Sequence, residues 1–250
     1  MPNSLITGAS SGLGRGLALQ LAREGHDVAV TARREPLLRA VAAEIEALGR
    51  RCIVLPADLC DAQRAHEVVD AAAEALGGLD LVWLNAGGGV AHTLQTTTAD
   101  TLTWLMRTNY DTMVNVLVPS LPHLQRSKGV LAYTGSPAGY LGLPKSGAYS
   151  AAKAAGRMLM DTCRAELYAS GIDMVAVYPG FADTPGLSRE DIPYQALIIS
   201  ESRAVNEMMW AYRHRVAHHM FPRRIAWLIR LARVLPIALR TRVLAAIAAS

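Results

Sequence analysis

Apolar and polar positions alternate along the chain in two rhythms. Short, nearly continuous apolar runs occur at 4–7, 27–32, 52–57, 79–86, 129–135 and 173–179. Their length, and the weight of Val, Leu and Ile in several of them, suits strands covered on both faces. Between them apolar residues recur at helical spacing over 14–25, 35–49, 61–77, 99–126 and 150–170. The second and third of these stretches stop at Gly49 and Gly77, as helices commonly do. Strand and helix in strict alternation predict an α/β fold, a doubly wound parallel sheet with helices on both faces in three layers.

Past residue 185 the rhythm weakens. A helical pattern returns over 200–215 with Ser200 as its N-cap, and 215–222 reads as a divergent final edge strand. Then Ile225, Leu228, Leu231 and Leu235 recur at helical spacing, with Arg223, Arg230 and Arg233 largely on the other side, until Pro236 divides the segment into two helices. The pattern therefore separates residues 1–200, the α/β domain, from 201–250, a helical extension packed on or near it.

Composition sharpens this picture at two points. The net charge of +4 hides an asymmetry: residues 203–250 hold nine arginines against one acid, Glu207, while residues 1–202 are mildly acidic. A basic amphipathic tail with Trp227 on its apolar side suits an anionic membrane surface. Packing on the core or on a partner subunit accounts for the same pattern. Nucleic-acid binding does not, since no aromatic interleaving or basic groove motif accompanies the charge. The three cysteines, Cys52, Cys60 and Cys163, share no metal-ligand spacing and read as reduced thiols, which points to a cytoplasmic protein. The His218–His219 pair has no third ligand spaced with it, so no metal site is expected. The start of the chain lacks the pattern of a signal peptide, and no window of ~20 apolar residues predicts a membrane span.

The chemistry begins at "ITGASSGLGRG", which links the first strand to the first helix. Gly8, Gly12 and Gly14 allow a tight turn and a close backbone approach to a pyrophosphate, which the helix N-terminus then receives. At the end of the second strand, where NAD-binding sites carry an acid for the ribose hydroxyls, stand Ala32, Arg33 and Arg34. An acid would repel a 2′-phosphate and a guanidinium binds it, so the cofactor expected is NADP rather than NAD, with Arg33 the main contact. Asp58 closes the third strand within reach of an adenine amino group, and "NAGGG" at 85–89 brings flexible backbone to the crevice.

The stretch "GAYSAAKAAG" sets one tyrosine and one lysine on a background of alanine and glycine. Four positions apart on a helix, Tyr149 and Lys153 share one face. A neighbouring ammonium favours the phenolate, which allows a tyrosine of ordinary pKa ~10 to exchange protons near neutrality. Ser136 ends the fifth strand, on the side of the sheet where ligands bind, and its hydroxyl can hold the same substrate oxygen.

Together these motifs resemble the short-chain dehydrogenase/reductase family: T-G-x-x-x-G-x-G at 7–14, N-A-G at 85–87, Asn109, Ser136, Y-x-x-x-K at 149–153, and P-G at 179–180 with Thr184 after it. The resemblance spans residues 3–185. It implies a Rossmann-like core, an oligomer (dimer or tetramer), and hydride transfer between NADP(H) and an alcohol/carbonyl pair. Tyr149 would be the acid/base. Lys153 would bind the nicotinamide ribose and lower the Tyr149 pKa, Ser136 would hold the substrate oxygen, and Asn109 would position a relay water. The cofactor set it implies is Gly8, Ser10, Ser11, Gly12, Leu13, Gly14, Arg33, Arg34, Asp58, Leu59, Asn85, Ala86, Gly87, Tyr149, Lys153, Pro179, Gly180, Ala182 and Thr184. Pro137 after the serine, Ala182, and the lack of a glycine-rich seventh strand depart from the family pattern. The segment 185–200, with Tyr194, Leu197, Ile198 and Ile199, suggests an apolar wall and hence a lipophilic substrate. The competing reading is a non-catalytic NADP(H)-binding regulator or membrane-associated scaffold, a class that usually loses the tyrosine or the lysine.

Overall fold

Strands β1 (Asn3–Thr7), β2 (Asp27–Ala32), β3 (Cys52–Pro56), β4 (Leu81–Leu84), β5 (Val130–Thr134) and β6 (Asp173–Pro179) form where the apolar runs predicted them. The computed structural model describes residues 1–187 and 195–249. Tyr194, expected in the loop over the substrate, lies outside the described residues. The sheet order is β3-β2-β1-β4-β5-β6-β9, every pairing parallel, with β9 (His219–Phe221) as the seventh strand beside β6. The order reverses between β1 and β4, which opens a crevice at the carboxyl ends of those strands.

Alternate residues of each strand feed two cores. Ile6, Val30, Trp83 and Val175 meet α1 (Gly12–Arg23), α2 (Glu35–Ala47) and α7 (Glu201–Arg213) on one face. Leu5, Val82, Leu131 and Tyr133 meet α3 (Ala62–Leu76), α5 (Thr112–Ser127) and α6 (Gly147–Glu166) on the other. Caps set several boundaries. Asp61 accepts from the Gln63 and Arg64 amides to start α3, and Gly77 ends it at φ 84°, a left-handed conformation that costs glycine little. Ser200 caps α7 by accepting from the Arg203 amide, as expected.

Two expectations are corrected. The helix expected over 99–126 is α4 (Ala99–Met106) and α5, joined by a π-turn at Arg107–Asp111 that turns Asn109 inward. Residues 201–213, expected in the helical extension, pack into the core instead, Met208, Met209 and Tyr212 of α7 joining the β1-side cluster, while β9 closes the sheet within 215–222, where an edge strand was expected. What lies outside the sheet layers is α8 (Arg223–Val234) and α9 (Ile237–Ala249). His218 hydrogen-bonds the Tyr140 hydroxyl, and His219 pairs with Glu207 at 2.9 Å.

The tail's buried face also differs from the expected stripe. Ile225, Ala226 and Ile229 are buried, while Leu228 and Leu231 are more than half exposed. Docking decides this: Ile225 and Ile229 cluster with Leu141, and Ile225 lies so near Gly180 that a Cβ there would come within 2.3 Å of it. Among the described residues no helix is long and apolar enough to cross a membrane.

Candidate active site

At the crevice, β1 and β4 are tied by one hydroxyl. Thr7 Oγ1 accepts from the amides of Asn85 (2.8 Å) and Ala86 (2.9 Å), and the Asn85 side chain donates back to the Thr7 carbonyl. The chain then turns through Gly8 (φ 67°) and Gly12 (φ 54°) into α1. Gly14 has no room for a side chain: a Cβ there would lie 2.3 Å from the Gly8 carbonyl oxygen. Ser10 is buried and Leu13 packs on the core, so these two hold the loop down. Ser11 makes no side-chain capping bond and the first turn of α1 carries no acid, which leaves helix N–H groups for an anion. Thr184 closes over the loop, its Cβ 3.2 Å from where a Gly12 Cβ would stand. This is a cradle that side chains would fill, and it fits a dinucleotide pyrophosphate.

At the adenosine end, Arg34 donates to Ser10 Oγ (3.0 Å) and Ser11 Oγ (2.8 Å). Arg33, expected to be the main contact to a 2′-phosphate, lines a pocket of about 300 Å³ with Asp58, Cys60, Trp104 and Arg107. Asp58 is exposed there and accepts from the Cys60 amide, while Leu59 is buried and braced by Asn115 on its carbonyl. Arg107 was invisible to sequence reasoning because its approach depends on the π-turn. A larger cavity, about 360 Å³, opens among Pro2, Asp80 and Gly129, which precede their strands, at the end of the sheet away from the crevice.

The catalytic candidates converge beside the glycine loop. Ser136 stands in extended backbone at the end of β5, and Pro137 starts a 3-10 turn whose Ala138 amide the serine hydroxyl receives at 3.2 Å. Gly139 seats that turn against α6: a Cβ would lie 2.7 Å from the Lys153 carbonyl. The turn and the helix are therefore in backbone contact, which sets Ser136 over Tyr149. Lys153 lies one turn below, buried, with Nζ donating to the Thr134 carbonyl at 3.1 Å and 5.7 Å from the Tyr149 ring centre. Thr134 is fixed in turn by the Trp83 indole N–H at 3.0 Å.

Charge is costly here. Burial pushes the Lys153 ammonium down to about 8. It also pushes the Tyr149 phenol up, opposed by the Ser136 hydrogen bond. The expected lowering of Tyr149 by Lys153 is thus not met by these residues alone: burial outweighs the Ser136 hydrogen bond that opposes it.

Asn109 is wholly buried and spends both amide donors, on the Gly88 carbonyl (2.7 Å) and the Leu105 carbonyl (2.9 Å). Its oxygen receives the Gly88 amide. The side chain therefore pins the 87–89 loop and has no donor left for a water. Gly87 lets that oxygen approach, since a Cβ would sit 2.6 Å from it. His92, not foreseen from sequence, holds the next part of the loop to the start of α6 by donating its amide to the Lys145 carbonyl and accepting from the Ala148 amide on its ring. Pro179 pairs with Phe221, Gly180 donates to the Phe221 carbonyl at 2.8 Å, and Ala182 is buried in a short pairing of β7 (Ala182–Asp183) with β8 (Ile199–Ser200). Beside them Leu141, Leu143, Phe181, Leu197, Ile225 and Ile229 form an apolar cluster.

Comparison with known proteins places the chain in a family with this fold. Residues 3–192 match the family model described as short chain dehydrogenase. An uncharacterized oxidoreductase of Myxococcus xanthus strain DK1622 is 36% identical over 239 residues, covering 93% of this chain and 92% of its own. A hydroxysteroid 11-beta-dehydrogenase 1-like protein of Macaca fascicularis is 37% identical over 164 residues, 65% of this chain and 57% of its own. The crystal structure of a short chain dehydrogenase from Burkholderia cenocepacia J2315 in complex with NADP superposes at a TM-score of 0.80 and 29% identity, covering 88% of this chain and 96% of its own.

Proposed function

The chain belongs to the short-chain dehydrogenase family of NAD(P)-dependent oxidoreductases, and we propose that it moves hydride between NADP(H) and the carbonyl/alcohol carbon of a lipophilic substrate. The observation that carries this reading is the convergence of the Ser136 and Tyr149 hydroxyls above buried Lys153, next to a glycine cradle. Bound NADPH supplies the hydride. Ser136 holds the carbonyl oxygen, and Tyr149 delivers the proton that this oxygen takes up. Lys153 stabilises the phenolate left behind and would hold the ribose of the bound cofactor. Asn109 fixes the 87–89 backbone that borders the site. The apolar cluster around Leu141, Phe181 and Ile225 supports a ketone, aldehyde or sterol-like alcohol as substrate. Incubation with NADPH and such a panel tests the proposal. Tight NADPH binding with no turnover across it would instead favour the regulatory reading.

NADP preference rests on Arg34 against the loop serines and Arg33 nearby. Replacing both arginines by serine is expected to raise the NADPH KM about 10- to 100-fold, the loss of one or two charge-assisted bonds, and to leave NADH use nearly unchanged. Parallel steady-state kinetics with the two cofactors checks this. Equal effects on both would refute the assignment.

A second role is favoured by the tail. Trp227, Leu228 and Leu231 of α8 and Ile237 of α9 are exposed, and Arg230 lies 5.5 Å from the Trp227 ring within a strongly basic segment. We infer a peripheral seat on an anionic lipid surface. The full chain is expected to sediment with phosphatidylglycerol vesicles, not with phosphatidylcholine ones, and to be released by high salt. The double variant Trp227→Ser, Leu231→Ser should weaken the sedimentation. If that variant instead dissociates an oligomer, as light scattering would show, the surface is a subunit contact.

A further inference from the structure

We propose that Tyr133 is a positioning residue of the catalytic pair, whose ring face keeps Lys153 in its ammonium form. The inference rests on the reading of Lys153 given above and goes beyond it by assigning a role to a core residue of β5.

Tyr133 is the fourth residue of β5 and is 1% exposed. The Lys153 nitrogen lies over its ring, 5.5 Å from the centre, within the range of a cation–π contact. The tyrosine hydroxyl contributes no bond: it is buried and has no hydrogen-bond partner among the described residues. A buried unpaired hydroxyl is a cost, so some other property of the side chain must offset it. The fold also makes room for it. Gly156, three residues beyond Lys153 on α6, is where a Cβ would come within 2.4 Å of the Tyr133 oxygen. The ring is thus lodged beneath Lys153 against the helix backbone.

Lys153 needs such a neighbour. Its nitrogen has three donors but, among the described residues, one hydrogen-bond acceptor, the Thr134 carbonyl, and no carboxylate partner. The titratable groups facing it are Tyr149 on its own helix and Tyr133 on β5. Arg157, one turn further along α6, is directed elsewhere, to the Gly139 carbonyl and the Tyr140 ring. Tyr149 changes charge during the proposed reaction. Tyr133, whose phenol burial holds far above its usual range, does not, so its face offers the ammonium a constant negative potential.

The test reads Lys153 directly. The chain has three lysines, Lys128, Lys145 and Lys153, and the first two are exposed. Protein labelled with carbon-13 at lysine Cε therefore gives three signals, assigned through Lys128→Arg and Lys145→Arg, and each is titrated by NMR. Tyr133→Phe keeps the ring and should leave the Lys153 pKa unchanged. Tyr133→Leu should lower it by about one unit, a tenfold loss of ammonium at a given pH. If the leucine merely loosened the core, water would enter and the pKa would rise, so the sign separates the two accounts. Should the leucine variant not fold, pentafluorophenylalanine at position 133 keeps the shape and reverses the face potential, and the same fall is expected. A pKa unmoved or raised by losing the ring face overturns the proposal, as does a Phe variant that behaves like Leu. Turnover unaffected by Lys153→Met, with the pKa response intact, would refute the catalytic role of Lys153 and leave the ring effect standing.

Discussion

Tyr149→Phe is expected to lower turnover in carbonyl reduction by about two to four orders of magnitude, the usual worth of a positioned acid. The substitution is clean here. The ring stays against the 87–89 loop, where Gly89 approaches its edge, and stays 5.7 Å from the Lys153 nitrogen. What is lost is the hydroxyl that hydrogen-bonds Ser136 and, in the proposed mechanism, meets the substrate oxygen. A group acting only as the proton leaves lowers kcat and kcat/KM together and leaves NADPH affinity unchanged. Stopped-flow turnover and a fluorescence titration of NADPH measure both on one sample. Wild-type turnover in the phenylalanine variant would overturn the mechanism. The pH dependence carries a sign as well. The proposed reduction needs Tyr149 protonated and Lys153 charged, and burial pushes Lys153 down to about 8. Reductive kcat/KM should therefore fall as the pH rises through that region.

The second large effect is expected at Gly14→Val. An added Cβ would lie 2.3 Å from the Gly8 carbonyl and 2.6 Å from the Asn85 amide nitrogen. Neither can retreat at little cost. Gly8 is held to the Thr31 carbonyl at 2.8 Å, and the Asn85 side chain to Thr7. Overpacking of this kind costs about 1–3 kcal/mol, and the strain falls on the loop whose amides must meet the pyrophosphate. NADPH affinity should drop by about 5- to 150-fold if most of it is expressed in binding. Gly142→Ala, where an added Cβ meets nothing within 4 Å, is the control and should bind normally. Unchanged NADPH affinity in the valine variant would mean that the cofactor does not use this loop.

Much of the architecture was legible in the linear pattern because strands and helices are set by local rules. The run 174–179, after Asp173, is apolar at consecutive positions, and only a strand covered on both faces buries all of them. The glycine loop and the Tyr149–Lys153 pair were legible for a related reason: a left-handed turn and a one-turn spacing are properties of a few adjacent residues. Nothing local marks Arg107–Asp111 as a π-turn. Its effect, turning Asn109 to the 87–89 loop, arises from a contact across 21 residues.

The sequence by itself determined the alternation of elements, the glycine turn after β1, the shared helical face of Tyr149 and Lys153, and the basic character of the tail. Each follows from periodicity, backbone freedom or charge within one or two turns. Tertiary structure decided the rest: that Arg34 rather than Arg33 meets the loop serines, that Ile225 and Ile229 rather than Leu228 and Leu231 face the core, and that Tyr133 lies under Lys153. These outcomes depend on which surfaces meet across the fold, and an amphipathic helix or a buried tyrosine does not encode its neighbour until packing selects it.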